Sequence, residues 1–129
     1  MMGHASNPWK INEMKGTRKK KDSYVVLFST TNRLEEAHRI AHQLIAARLV
    51  ACANIVPSIS SVYLWKGSIR NDTEVLMILK TKKSRIPKLE KAFRALHSYE
   101  TPELIALPLE YGLQEYLKWI DDSLSSPKS

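Results

Sequence analysis

The side chains of this 129-residue chain that would suit a soft or borderline metal ion are few: one cysteine and four histidines. Cys52 sits at the head of a β-rich stretch, where a thiolate would suit a soft ion such as Cu(I). A lone thiol reads equally well as a small apolar side chain in a strand. His97 opens the densest polar stretch, His97-Ser98-Tyr99-Glu100-Thr101-Pro102-Glu103. An imidazole there could ligate a metal or move protons, and Glu100 and Glu103 could take a hard cation or act as acid and base. The bland alternative is a packed turn, with Glu100 paired to a lysine and Tyr99 as a half-buried wall. His38 and His42 stand at i and i+4, the spacing of two zinc ligands on a helix face, but they lack a third ligand. Lys80, Lys82, Lys83 and Arg85 precede a predicted helix whose N-terminus would attract anions, or they form a solvated basic face. No Gly-rich phosphate loop, serine elbow or paired-cysteine motif is present. With a single cysteine no internal disulfide can form, which fits a reducing compartment.

These residues need a scaffold. Ala51–Pro57 and Ser61–Trp65, a break at Lys66-Gly67-Ser68, and Glu74–Thr81 read as a long hairpin. Arg70-Asn71-Asp72 is a second place for the turn. Pro57 predicts a bulge or an edge. Ser23–Thr30 is a first strand, with Tyr24, Val26 and Phe28 on one side and Val25 and Leu27 on the other. A helix from Asn32, with Glu35 close to a capping box, turns Leu34, Ala37, Ile40, Ala41, Leu44 and Ile45 inward. It turns Glu35, Glu36, His38, Arg39, His42 and Gln43 outward. A second helix capped by Ser84 buries Ile86, Leu89, Phe93 and Leu96. Glu103–Leu109 is a fourth strand, and Pro108 marks its end or an edge position. A third helix follows Gly112, with Leu113, Tyr116, Leu117, Ile120 and Leu124 inward.

Composition bounds the rest. The chain is 43% hydrophobic and 26% charged, as soluble globular domains are, and no apolar run is long enough for a membrane span. The net charge is +7. Residues 1–22 hold Lys10, Lys15, Arg18, Lys19, Lys20 and Lys21 against Glu13 and Asp22. They are expected to form a basic, disordered tail outside a domain at 23–124, with a polar end at 125–129. An RNA-binding reading requires an aromatic sheet face and its signature motif. Both are missing, so no nucleic-acid partner is expected.

The order β-α-β-β-α-β plus a terminal helix is the α+β, ferredoxin-like pattern: an antiparallel sheet with helices on one face. Three strands are apolar on both sides, whereas a sheet with one wet face should alternate. A bare apolar sheet face of that size predicts a partner surface, and the simplest partner is another copy of the chain.

Several blocks carry a resemblance. Ala51-Cys52-Ala53-Asn54-Ile55-Val56-Pro57, Tyr63-Leu64-Trp65-Lys66-Gly67, Glu74–Thr81, His97–Glu103, Ile105-Ala106-Leu107-Pro108 and Tyr116-Leu117-Lys118-Trp119 resemble the CutA divalent-cation tolerance family over residues 23–124. The resemblance implies a ferredoxin-like subunit in a tight homotrimer. Sheets would pack inward, hairpins would cross to neighbours, and the architecture would be similar to the PII signalling proteins. It implies a non-enzymatic, cytoplasmic role in tolerance to copper and other divalent metals. Animal relatives are linked to membrane anchoring of acetylcholinesterase. No cofactor is required; copper or another divalent metal is the ligand the resemblance allows. Cys52 and His97 fall on positions implicated in copper binding. Ser29 stands where some bacterial members have a cysteine, Leu96 where they have a second histidine, and Ser98 where a proline is usual. Tyr63, Trp65, Lys80, Tyr99, Glu100 and Trp119, with His97, would line clefts between subunits. Under a PII-like alternative, Lys80 would hold a small anion there.

Overall fold

The computed structural model describes residues 22–125. Residues 1–21 and 126–129, which include most of the expected tail and polar end, lie outside the described residues. Eight elements follow in order: β1 (Tyr24–Thr31), α1 (Leu34–Ala46), β2 (Cys52–Trp65), β3 (Ser68–Lys82), a 3-10 turn (Lys83–Arg85), α2 (Ile86–Leu96), β4 (Ile105–Pro108) and α3 (Gln114–Leu124). The four strands form one sheet in the order β2-β3-β1-β4, and every neighbouring pair is antiparallel. This is the expected ferredoxin-like α+β topology.

Pairing explains the shape. β1 pairs with β3 only from Tyr24↔Lys82 to Thr31↔Val75, whereas β2 and β3 continue to Trp65↔Ser68. Beyond Val75 the hairpin is therefore a two-stranded ribbon, a structure of marginal stability alone in water. Its turn is Lys66-Gly67, both with positive φ (49° and 79°), the pattern of a two-residue turn that follows the strand twist. The other turn site, Arg70-Asn71-Asp72, lies within β3. The register slips between Val56 and Ile59, where Pro57 cannot donate to the ladder. β4 ends at Pro108 on the sheet edge.

The core lies on one face of the sheet. Val25 and Leu27 of β1 and Val75, Met77 and Leu79 of β3 pack against Ala37, Ile40 and Leu44 of α1 and Leu89 and Phe93 of α2. Full burial of each large side chain is worth roughly 1.5–3 kcal/mol, which is why the i, i+3, i+4 stripes of the two helices fix their orientation. Leu34 and Ile45, expected inward, are 43% and 41% exposed; they flank the stripe rather than belong to it. α3 takes the opposite face: Ile120, Leu124 and Leu117 pack on Tyr24 and Ala51. Leu113 and Tyr116 of the expected inward set stay exposed. Gly112 permits the close entry to α3, since a Cβ there would stand 2.6 Å from Leu117 Cδ2.

Neither predicted cap forms. The N-cap of α1 is Arg33 and that of α2 is Arg85, and neither makes a side-chain cap bond. Ser84 instead donates from its backbone N–H to Asp22 Oδ1 at 3.0 Å and from its hydroxyl to Asp22 Oδ2. Among the described residues no helix is long and apolar enough to cross a membrane.

Candidate functional site

His97 follows α2 and is buried at the end of the core. Its Nε2 lies 2.8 Å from the Thr30 carbonyl oxygen, and its Nδ1 accepts the Tyr99 N–H at 3.0 Å. These partners select the tautomer with the proton on Nε2. Both ring nitrogens are therefore committed, and the ring packs against Phe93 and Tyr99 at centroid distances of 5.1 and 4.7 Å. In this arrangement His97 fixes the turn after α2.

Glu36 completes that turn. It was expected on the solvated side of α1 but is only 6% exposed. Thr31 Oγ1 donates to Oε1 at 2.6 Å, Ser98 Oγ donates to Oε1 at 2.9 Å, and the Ser98 N–H donates to Oε2 at 2.6 Å. His97 Nδ1 is 3.9 Å from Oε2. Burial is the largest single influence on this carboxyl and would push it up. The bonds from Thr31 and Ser98, with His97 nearby, together outweigh burial and hold the carboxyl below its usual range. A signal for this residue was present: Glu36, Ile40 and Leu44 share an i, i+4, i+8 row, and all three are buried. Ser98 supplies the N–H and hydroxyl that Glu36 needs, and a proline at this position would have no N–H to give.

The turn opens onto a cleft of about 910 Å³ between the ribbon and the 99–103 segment. Three of the expected cleft residues, Tyr63, Trp65 and Tyr99, meet here with Asp72, Glu74 and Glu103, which sequence reasoning did not place together as a site. Tyr99 donates its hydroxyl to Glu74 Oε2 at 2.8 Å, and Tyr63 donates to Asp72. Burial first, then Glu74, raises the Tyr99 phenol. Burial first, then the Glu74 charge, raises the Glu103 carboxyl. The hydrogen bond to Asp72 is the main cause of a raised Tyr63 phenol. Glu100 is exposed and pairs with no lysine among the described residues.

Lys80 and Trp119 lie elsewhere. Lys80 Nζ sits 5.8 Å from the centre of the Tyr116 ring, which stacks on Trp119 at 5.5 Å. Next to them Lys82 pairs with Asp121 at 2.8 Å, and Tyr24 donates to the same carboxylate at 2.9 and 3.0 Å. Burial and then Asp121 push the Tyr24 phenol up to about 12. Cys52 pairs across the strands with Lys80. It is half-buried and donates weakly to Asn54 Oδ1 at 3.6 Å.

His97 is bonded to Thr30, in the Leu76 row of β3, while Cys52 lies in the Lys80 row. Four residues of strand separate the rows, roughly 13 Å. One subunit thus keeps the two expected ligands apart. Among the described residues no group of three or more His, Cys, Asp or Glu is placed to hold a metal. His42 Nδ1 is spent on the His38 carbonyl at 2.7 Å.

Topology and site together define a ferredoxin-like α+β protein with one apolar sheet face left open by its helices and with polar residues gathered where the hairpin leaves the sheet. The model of the CutA1 divalent ion tolerance protein family matches residues 25–123, and the chain belongs to that family. It is 42% identical over 98 residues to the divalent-cation tolerance protein CutA of Thermus thermophilus, covering 76% of this chain and 95% of that protein. It is 45% identical over 93 residues to human protein CutA, covering 72% of this chain and 52% of that one. A chloroplastic CutA 1 of rice is 41% identical over 99 residues, 77% of this chain and 56% of the relative. The chain thus spans about half the length of these eukaryotic relatives. The crystal structure of CutA1 from Ehrlichia chaffeensis superposes with a TM-score of 0.78 at 33% identity, covering 83% of this chain and all of that one. A periplasmic CutA structure from Archaeoglobus fulgidus gives 0.76 at 40% identity, covering 79% and 99%. The family bears the name of a tolerance protein.

Proposed function

We propose that this chain is a non-enzymatic, homotrimeric protein of divalent metal ion tolerance that binds copper through Cys52 and His97. The observation that carries the assembly is the open sheet face. Ile105 and Leu107 of β4 are each 54% exposed beside half-buried Val26, Phe28, Leu76 and Ile78. Membership of a family named for divalent ion tolerance supports the metal role. Cys52 is the readier ligand because it is half-exposed and makes only one long hydrogen bond. His97 must give up Thr30 or Tyr99 to bind, and with Cys52 four rows away the second ligand comes from a neighbouring subunit. The lone thiol supports a cytoplasmic setting, and a fluorescent fusion of the full chain tests it. Copper titration of wild type, Cys52→Ser and His97→Ala is the decisive experiment: affinity falls most in Cys52→Ser, and unchanged affinity in both variants rules these ligands out.

A second reading has an observation of its own. Lys80 meets the Tyr116 ring but, among the described residues, no carboxylate, which suits a small anion of the PII-like kind. A thermal-shift screen of nucleotides and organic anions decides it; no stabilisation by any of them removes it.

A further inference from the structure

The cleft between the ribbon and the 99–103 segment has no part in either reading. Paired residues of the ribbon share a face, so Tyr63 stands beside Arg70 and Trp65 beside Ser68. By strand alternation Asp72 and Glu74 follow on that same face. The cleft's volume of about 910 Å³ is that of a small-molecule site. Three carboxylates, Asp72, Glu74 and Glu103, line it against one cation, Arg70, on a chain whose net charge is +7. Neither Arg70 nor Glu103 makes an ion pair among the described residues. Asp72 and Glu74 each accept a phenol, from Tyr63 and Tyr99, through one oxygen only. Burial and then the Glu74 charge raise the Glu103 carboxyl, as two acids held together without a counter-ion must.

The acids alone would be a solvated face. Independently of charge, the cleft has an aromatic wall of Tyr63, Trp65 and Tyr99. Trp65 already carries an ammonium of the chain's own, with Lys66 Nζ 5.6 Å from the ring centre, inside cation–π range. A metal ion is the wrong occupant. A hard cation needs several oxygens converging on one point, and among the described residues no group of three or more His, Cys, Asp or Glu is so placed. The acids are spread instead. Residues two apart on one strand face stand about 7 Å from each other, so Asp72 and Glu74 suit two charges on one molecule better than one ion. We infer that this cleft binds an aliphatic polyamine, with its ammonium groups on Asp72, Glu74 and Glu103 and its methylene stems against Tyr63 and Trp65. The carboxylates gain counter-ions, and the stems cover rings that are otherwise exposed.

The test is isothermal titration of the full chain with spermidine at low salt. One spermidine binds per chain, and added salt weakens it. Butylamine, with a single charge, and magnesium both bind much more weakly. Glu103→Gln, which removes a charge without breaking an ion pair, lowers affinity about tenfold or more. Trp65→Ala lowers it by about two- to thirtyfold, and Trp65→Phe, which keeps a ring, lowers it less. Circular dichroism and solution mass confirm that the variants fold and assemble. Magnesium binding as tightly as spermidine, or undiminished binding in Glu103→Gln or in Trp65→Ala, overturns the inference. So does failure of spermidine to bind; a lower solution mass of Glu103→Gln would then assign the cleft to a lysine of a neighbouring copy. Cys52→Ser leaves spermidine binding unchanged, so the outcome is independent of the copper titration.

Discussion

β3 carries two faces with opposite fates. Val75, Met77 and Leu79 point at α1 and α2 and are 4%, 0% and 0% exposed. Leu76 and Ile78, one residue away and no less apolar, point to the other face and stay half-buried. On that side Phe28 pairs with Ile105 and Val26 with Leu107, and α3 covers only the Tyr24 end. The closed face shows what a single chain can bury with its own helices. The open face shows apolar surface that this chain places but does not hide, and such surface usually belongs to an interface.

Substitutions on the two faces should therefore fail differently. Met77→Ala removes a fully buried side chain and should lower unfolding free energy by about 2–5 kcal/mol, read by urea denaturation, without changing solution mass. Ile78→Asp should cost much less within the subunit but should dissociate the assembly at concentrations where wild type stays intact. Equal effects of both on mass would erase the distinction.

Glu36→Gln comes next, at about 1–3 kcal/mol, because it breaks the clamp on the His97 turn. The carboxyl is held below its unfolded value, so its contribution is present above the unfolded value and lost as pH falls through the lowered one. Wild type should lose stability on that acid limb, and the variant should show a flatter one in the same denaturation series.

Tyr24→Phe tests the part of the open face that α3 does cover, and should cost about 1 kcal/mol. With its phenol raised to about 12, Tyr24 contributes fully below pH 10 and loses that contribution as pH rises toward 12, as alkaline denaturation would show. The smallest effect is expected at Ser29, whose buried Oγ has no hydrogen-bond partner. Ser29→Ala should be neutral or stabilising by up to about 1 kcal/mol, measured by thermal melting.

The strands, both core helices and the two-sided apolar pattern were legible because each follows a simple period, and Pro57 and Lys66-Gly67 announced the bulge and the turn. The caps were not legible, because Ser84 is bonded by an acid distant in sequence rather than capping its own helix. Glu36 was missed because charge was weighed above its i, i+4 row. The cleft within one subunit was not legible: Tyr63, Trp65 and Tyr99 line it, whereas Lys80 lies against Tyr116 of α3, which stacks on Trp119, and the expected clefts were ones between subunits. Nothing in local sequence reports that Glu74 and Glu103, in different strands and loops, face each other.

Sedimentation velocity of the full chain at low micromolar concentration tests the central claim most directly. Burial of the open face against identical copies predicts a species of three times the 14.8 kDa chain mass. A folded, stable species of single-chain mass under the same conditions would contradict it.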